Sequence, residues 1–195
     1  MTNPRLPGFM SNPKKDECKQ RLSAVMSSLR NETYTYEHIS VGAATVSEQY
    51  IRQTDPQTCR RLLVQERDNA REKLKDLEPF YVTYCDSTFD QRERPPLQSS
   101  ELFQMPAIVE DIDPCNRTPR IHPQRDQCIG RFAACAVELT RQGYEARHIA
   151  FAASEIAQEA ALACAPENAF TILKSDLELA EENIVALDEL MEEAS

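Results

Sequence analysis

The last 29 residues carry the pattern that most constrains the fold of this chain. Apolar residues recur there at alternating spacings of three and four, the a/d pattern of a helix that packs along one seam. The seam comprises Phe170, Leu173, Leu177, Ala180, Ile184, Leu187, Met191 and Ala194. Further apolar residues beside the seam favour a bundle over a two-stranded coiled coil. We therefore expect a long helix from about Glu167 to Glu193, packed within a bundle.

Two more helices are predicted before this one. Pro123 is suited to the first position of a helix, and Gly143 is typical of the left-handed cap that ends one. The next helix runs from about Glu145 towards Pro166 and has a face of mostly small side chains, which permits close helix packing. The sequence thus predicts a C-terminal three-helix bundle over residues 123–195.

The N-terminal part, residues 13–86, is predicted to be α-helical or α+β. One helix follows Pro13, and another runs from Pro56 to Leu77, where Pro79 is expected to end it. Residues 33–41 and 80–86 are rich in aromatic and β-branched side chains, which is typical of short strands that could pair. Residues 43–54 fit a helix or a strand. The predicted fold class is therefore mainly α, with a possible small two-stranded β element.

The regions outside these parts have a different composition. Residues 1–12 look like a flexible arm. Residues 87–122 contain five prolines and only scattered apolar residues, a composition unusual inside a compact domain. We interpret this stretch as a proline-rich connector between the two halves.

The charge of the chain limits its partners. The 32 acidic side chains outnumber 22 Lys and Arg, and the net charge of -10 argues against nucleic acid as a partner. The N-terminus lacks the apolar stretch of a secretory signal, and no apolar run is long enough for a membrane span. We expect an intracellular, cytoplasmic protein whose seven cysteines are reduced thiols.

Two helical surfaces are the candidate partner-binding sites. The first is basic and lies on the helix that begins at Pro56. It comprises Arg60, Arg61, Arg67 and Arg71, which could bind an acidic element or could form local ion pairs in solvent. The second lies on the last helix and combines three residues of the apolar seam with two acids beside it. It comprises Leu177, Glu181, Ile184, Asp188 and Met191. That seam could bind a partner or could be covered by the preceding helices.

Cysteine and histidine provide the only candidates for a metal or a catalytic site. The candidate zinc ligands are Cys115, His122, Cys128 and Cys135, but their spacings lack the tight C-x2-4-C knuckle of a structural zinc site. A cysteine nucleophile could use His38, His122 or His148 as its base, although no local motif joins them. Four scattered glycines leave no phosphate-binding loop. We predict no cofactor, no metal and no enzymatic activity.

The leading functional interpretation is a non-enzymatic interaction protein: an adaptor, regulator or assembly component that uses amphipathic helix surfaces to bind a protein partner or a second copy. One alternative is a nucleic-acid-linked regulator. The hairpin around Gly143 has the outline of a helix-turn-helix, with Arg147, His148 and Gln158 on the second helix. The other alternative is a zinc- or cysteine-dependent protein.

Overall fold

The computed structural model describes residues 13–89 and 123–193, with the side chains of 13–78 and 123–193. These residues form six helices and no strand. The helices are α1 (Pro13–Asn31), α2 (Tyr36–Ile51), α3 (Pro56–Phe89), α4 (Pro123–Arg141), α5 (Ala146–Leu162) and α6 (Pro166–Glu193). The mainly α fold class is confirmed. The arm and most of the connector lie outside the described residues.

The predicted β element is wrong. Residues 33–41 lead into α2, which begins after Thr35, whose hydroxyl accepts the His38 N–H at 3.4 Å as an N-terminal cap. Residues 80–86 belong to α3, which continues through Pro79 to Phe89 instead of ending at Leu77. Helix α3 therefore accommodates Pro79, at the expected loss of one backbone hydrogen bond.

The first three helices recur as the last three at a constant offset of 110 residues. Fifteen of the 66 positions from 13 to 78 are identical to the residue 110 positions later. They are Pro13, Asp16, Cys18, Arg21, Ala24, Leu29, Tyr34, His38, Ile39, Ala43, Pro56, Leu63, Ala70, Glu72 and Leu77. No insertion or deletion interrupts the match. The chain is therefore an internal duplication of one three-helix unit.

The turns of the two units have the same geometry. Thr33, with φ 71°, and its equivalent Gly143, with φ 84°, both end a helix in the left-handed region. The N–H of Tyr34 donates to the Leu29 carbonyl at 3.1 Å, and the N–H of Tyr144 donates to the Leu139 carbonyl at the same distance. The duplication therefore extends to individual hydrogen bonds.

The two units pack around an approximate twofold axis between α2 and α5. Ser40 Oγ donates to the Ala157 carbonyl at 2.8 Å, and Ser47 Oγ donates to the Ala150 carbonyl at 3.0 Å. Positions 40 and 150 are equivalent, as are 47 and 157, so the axis relates the two residue pairs, although the serine donor belongs to α2 in both bonds. In the same way α1 packs on α5 while α4 packs on α2.

The three C-terminal helices form as predicted, but they pack chiefly on helices of the first unit. One hydrophobic core joins buried residues of all six helices, including Leu22, Ile39, Leu63, Phe132, Ile156 and Ile184. Helices α3 and α6 run antiparallel, since Arg60 meets Asp188 and Arg71 meets Glu181. Each unit thus lacks a core of its own and depends on the other.

Candidate functional site

The predicted basic surface of α3 meets the predicted acidic seam of α6 within the chain. Arg60 donates from Nε and Nη2 to the two carboxylate oxygens of Asp188 at 2.6 and 3.0 Å. Arg71 Nη2 donates to Glu181 at 2.7 Å. The bidentate pair lowers the pKa of Asp188 by hydrogen bonding to its carboxylate. An acidic element therefore already covers this part of the basic surface.

The other predicted partner-binding residues are dispersed. Arg67 contacts its neighbour Asp68 at 2.7 Å, and Arg61 donates to the Thr58 hydroxyl at 3.0 Å. Ile184 is buried in the core, whereas Leu177 and Met191 are half-buried along α6. The seam of α6 is thus largely a packing surface against α3.

The cysteine and histidine candidates do not converge among the described residues. Cys115 and His122 lie outside them, while Cys128 is buried and Cys135 half-buried. The described part of the chain holds no group of three His, Cys, Asp or Glu side chains that could hold a metal ion. Burial raises the pKa of Cys18 and of Cys164 to about 11, so both thiols are protonated at neutral pH.

The turn at Gly143 is exposed, but the second helix of this hairpin, α5, lies at the centre of the molecule. His148 and Gln158 on α5 are 7% and 2% exposed, and only Arg147 of the three candidate contacts is exposed. Helix α5 is enclosed by α1, α2, α3 and α6. Most of the face that a DNA-recognition helix would present is therefore occupied by the core.

The structure shows a groove that sequence reasoning missed, between α2 and α6. This α2–α6 groove contains a cavity of about 230 Å³. Its apolar walls include Val41, Ala44, Ile51, Leu63, Ile172, Leu179 and Ala180. Val41 and Leu179 are 38% and 47% exposed. The groove is therefore an apolar surface accessible from solvent.

Three carboxylates line the α2–α6 groove: Glu48, Glu66 and Asp176. Glu66 and Asp176 occupy equivalent positions of the two units. Ser47 Oγ shares its single hydrogen between the Ala150 carbonyl and Glu66 Oε1, which lies at 2.7 Å, yet burial raises the pKa of Glu66 above its ordinary value. Burial, together with the nearby Glu66 charge, raises the pKa of Asp176 to about 6. The groove therefore combines apolar walls with carboxyl groups whose charged forms are poorly solvated by water.

The duplication explains why this groove is open. The equivalent crevice, between α5 and α3, has a cavity of only about 10 Å³, and Phe151 lines it. The position equivalent to Phe151 is Val41, whose smaller side chain leaves the space unfilled. Accordingly α3 packs on α5, whereas α6 makes little contact with α2. The smaller side chain at position 41 is thus one of several differences in lining between the open groove and the nearly closed crevice.

A sequence signal for these carboxylates existed in the repeat. Aligning the chain with itself at the offset of 110 pairs Glu66 with Asp176, one helical turn after two paired apolar positions, Leu62 with Ile172 and Leu63 with Leu173. A paired acid beside two paired core positions is an unusual pattern. The different charge of the two halves masks the repeat and therefore this pair of acids.

None of the six helices, over the residues that the structure describes, is both long and apolar enough to cross a membrane. Comparison with known proteins gives no match to a protein-family model, to a curated protein or to a solved structure.

Proposed function

We propose that this chain is a non-enzymatic helical interaction protein, and that the α2–α6 groove binds a basic amphipathic helix of a protein partner. The observation that carries the proposal is the groove itself, which has exposed apolar walls around poorly solvated carboxyl groups. The equivalent crevice between α5 and α3 is nearly closed, so the fold does not require an open groove at this place. An amphipathic helix inserts apolar side chains into such a groove.

Charge complementarity favours a basic partner. Lys or Arg side chains at the edge of the bound helix would meet Glu48 and Asp176, and opposite charges across an interface select the partner and accelerate association. A bound cation would also relieve the repulsion between Glu66 and Asp176. The net charge of -10 attracts a basic segment from a distance.

A second copy of this chain is a less suitable occupant. The last helix, α6, which exposes the apolar side chains of Leu179, Val185 and Leu190, also carries the exposed acids Glu182, Glu189, Glu192 and Glu193. Placing that surface against the carboxylates of the groove would bring like charges together. We further expect the partner to be intracellular, a location that the free thiols of the five described cysteines support.

A peptide titration tests the proposal. The probe is a fluorescently labelled amphipathic helical peptide with one face of Leu and the opposite face of Lys. The full chain is titrated into the peptide at physiological salt while the fluorescence anisotropy of the label is recorded. We expect saturable binding that falls at least about tenfold in Val41→Phe, because the aromatic ring fills the groove as Phe151 fills its equivalent. A version of the peptide with Glu in place of Lys should not bind.

The matched control is Val137→Phe, which adds the same ring to an exposed position on α4 away from the groove. Neither variant alters the charge of the protein. If the two variants bind the Lys peptide equally well, binding reflects general attraction to an acidic protein, and the groove is not the site.

A further inference from the structure

A second cavity, of about 390 Å³, lies where α1, α3 and α5 begin. We name it the basic pocket. It is lined by Lys15, Thr58, Arg61, Leu62, Gln65, Arg147, His148 and Phe151. Lys15 comes from the first turn of α1, Thr58 and Arg61 from the start of α3, and Arg147 and His148 from the first turn of α5. Three helix N-termini thus contribute to one cavity.

The lining of the basic pocket carries one sign of charge. Lys15, Arg61 and Arg147 are permanent cations, and the described lining includes no acid. Lys15 Nζ lies 3.3 Å from the centre of the Phe151 ring, which orients the ammonium group. The Thr58 hydroxyl and the Gln65 amide add uncharged donors. In a chain of net charge -10, such a concentration of cations creates a local positive field.

The cations retain only weak partners. Lys15 Nζ is 3.7 Å from Glu155, and Arg147 is 2.9 Å from Glu145 across an exposed pair. Arg61 donates to the Thr58 hydroxyl, not to a carboxylate. An exposed ion pair such as Arg147–Glu145 contributes about 0 to 1 kcal/mol, and the Lys15–Glu155 pair is long, so an incoming anion can replace both.

The duplication shows that the fold does not require these cations. The equivalents of Arg61 and Arg147 are Thr171 and Glu37, and only Lys15 has a basic equivalent, Arg125. At the equivalent place Asn168 Nδ2 donates to Glu37 Oε1 at 2.9 Å. The same helices therefore assemble there with an acid in place of Arg147, so the positive charge of the basic pocket is not a packing requirement.

We propose that the basic pocket binds a small anion of the phosphate or polyphosphate class. Arginine guanidinium groups bind phosphate oxygens through paired hydrogen bonds, and lysine supplies a compact charge. The cavity volume lies within the range typical of small-molecule sites. The residues are separate from those of the α2–α6 groove, so either proposal can fail without the other.

Calorimetric titration of the full chain with inorganic phosphate, pyrophosphate and ATP tests this inference. We expect saturable binding of one equivalent, tighter for pyrophosphate than for phosphate because it makes more charged hydrogen bonds. Arg147→Glu and Arg61→Thr, which introduce the residues of the other unit, should each weaken binding roughly 10-fold or more. Both positions are exposed, and circular dichroism verifies that the variants remain folded.

The control is Arg131→Glu, which changes the net charge as Arg147→Glu does but lies on α4, paired with Glu32. It should retain binding within about twofold. The inference is overturned if none of the three anions binds at millimolar concentration, or if Arg131→Glu weakens binding as much as Arg147→Glu does.

Discussion

Individual residues record how the two units diverged after duplication. Thr33 and Gly143 occupy the same turn with positive φ, a conformation that glycine adopts freely and a β-branched residue adopts at a cost. Val41 lines an open groove, whereas its equivalent Phe151 lines a nearly closed crevice. Comparing equivalent residues in one molecule therefore separates what the fold requires from what one unit has changed.

Replacing Thr33 with Gly should stabilise the protein. The substitution relieves a left-handed conformation that costs about 1 kcal/mol for a non-glycine residue, partly offset by the flexibility that Gly adds to the unfolded chain. Urea denaturation should therefore show a free energy of unfolding raised by roughly 0.5 kcal/mol. A decrease would show that the Thr33 hydroxyl, 2.6 Å from the Glu32 carbonyl, contributes more than the strain costs.

Asp176 should make stability depend on pH. Its pKa is raised to about 6, so the folded protein holds this proton more tightly than the unfolded chain does. The stabilising contribution is complete below pH about 4, the ordinary range of the carboxyl, and is lost as pH rises through about 6. Asp176→Asn, which cannot ionise, should exceed the wild type above pH 7 by on the order of 1 kcal/mol, reduced by the partial exposure of the side chain.

Denaturation curves measured for both proteins from pH 4 to 8 check this prediction. The difference in the free energy of unfolding between the two proteins should shrink as the pH falls. Glu48 and Glu66 are present in both proteins, so their titration contributes to both curves. A constant difference at every pH would mean that Asp176 is not perturbed by its surroundings.

At the scale of elements, local propensity failed where packing decided the outcome. The aromatic and β-branched residues of 33–41 indicated a strand, but the Thr35 cap and the buried face of α2 make it a helix. The equivalent segment of the second unit, residues 143–151, lacks that run of β-branched residues, and the helix predicted from about Glu145 is confirmed. Pro79 likewise failed to end α3. The a/d seam of α6 could be predicted because the alternating spacing of three and four continues without a break from Phe170 to Ala194.

Gly42 permits the close approach of α2 to α4. A Cβ at this position would lie 2.9 Å from Cys128 Cβ and 3.0 Å from the Cys128 carbonyl carbon. Gly42→Ala should therefore lower the free energy of unfolding by about 1 to 3 kcal/mol, since backbone must shift. Gly130, on the exposed face of α4, has no atom within 4 Å of such a Cβ, and Gly130→Ala should stabilise by about 0.5 to 1 kcal/mol.

Chemical denaturation of both variants provides the comparison. The two substitutions add the same methyl group within a helix, so propensity alone predicts gains for both. A gain at Gly42 would contradict the close packing of α2 against α4.

At the scale of the whole molecule, the sequence contained most of the helices but not their arrangement. The different net charges of the two halves mask their relationship, because only 15 of the 66 equivalent residues are identical. The duplication gives the approximate twofold axis, the shared core and the pairing of Glu66 with Asp176. The open groove could not be predicted in the same way, because it depends on how far α6 stands from α2 in three dimensions.

The central claim is that the α2–α6 groove binds a basic amphipathic helix, and methyl NMR of the full chain tests it most directly. The Leu and Lys probe is titrated while the methyl signals of Val41, Leu179 and Val137 are followed. We predict that Val41 and Leu179 shift together and saturate at one affinity, while Val137 stays unchanged. Shifts confined to Val185 and Leu190 on the outer face of α6, with Val41 unaffected, would contradict the account.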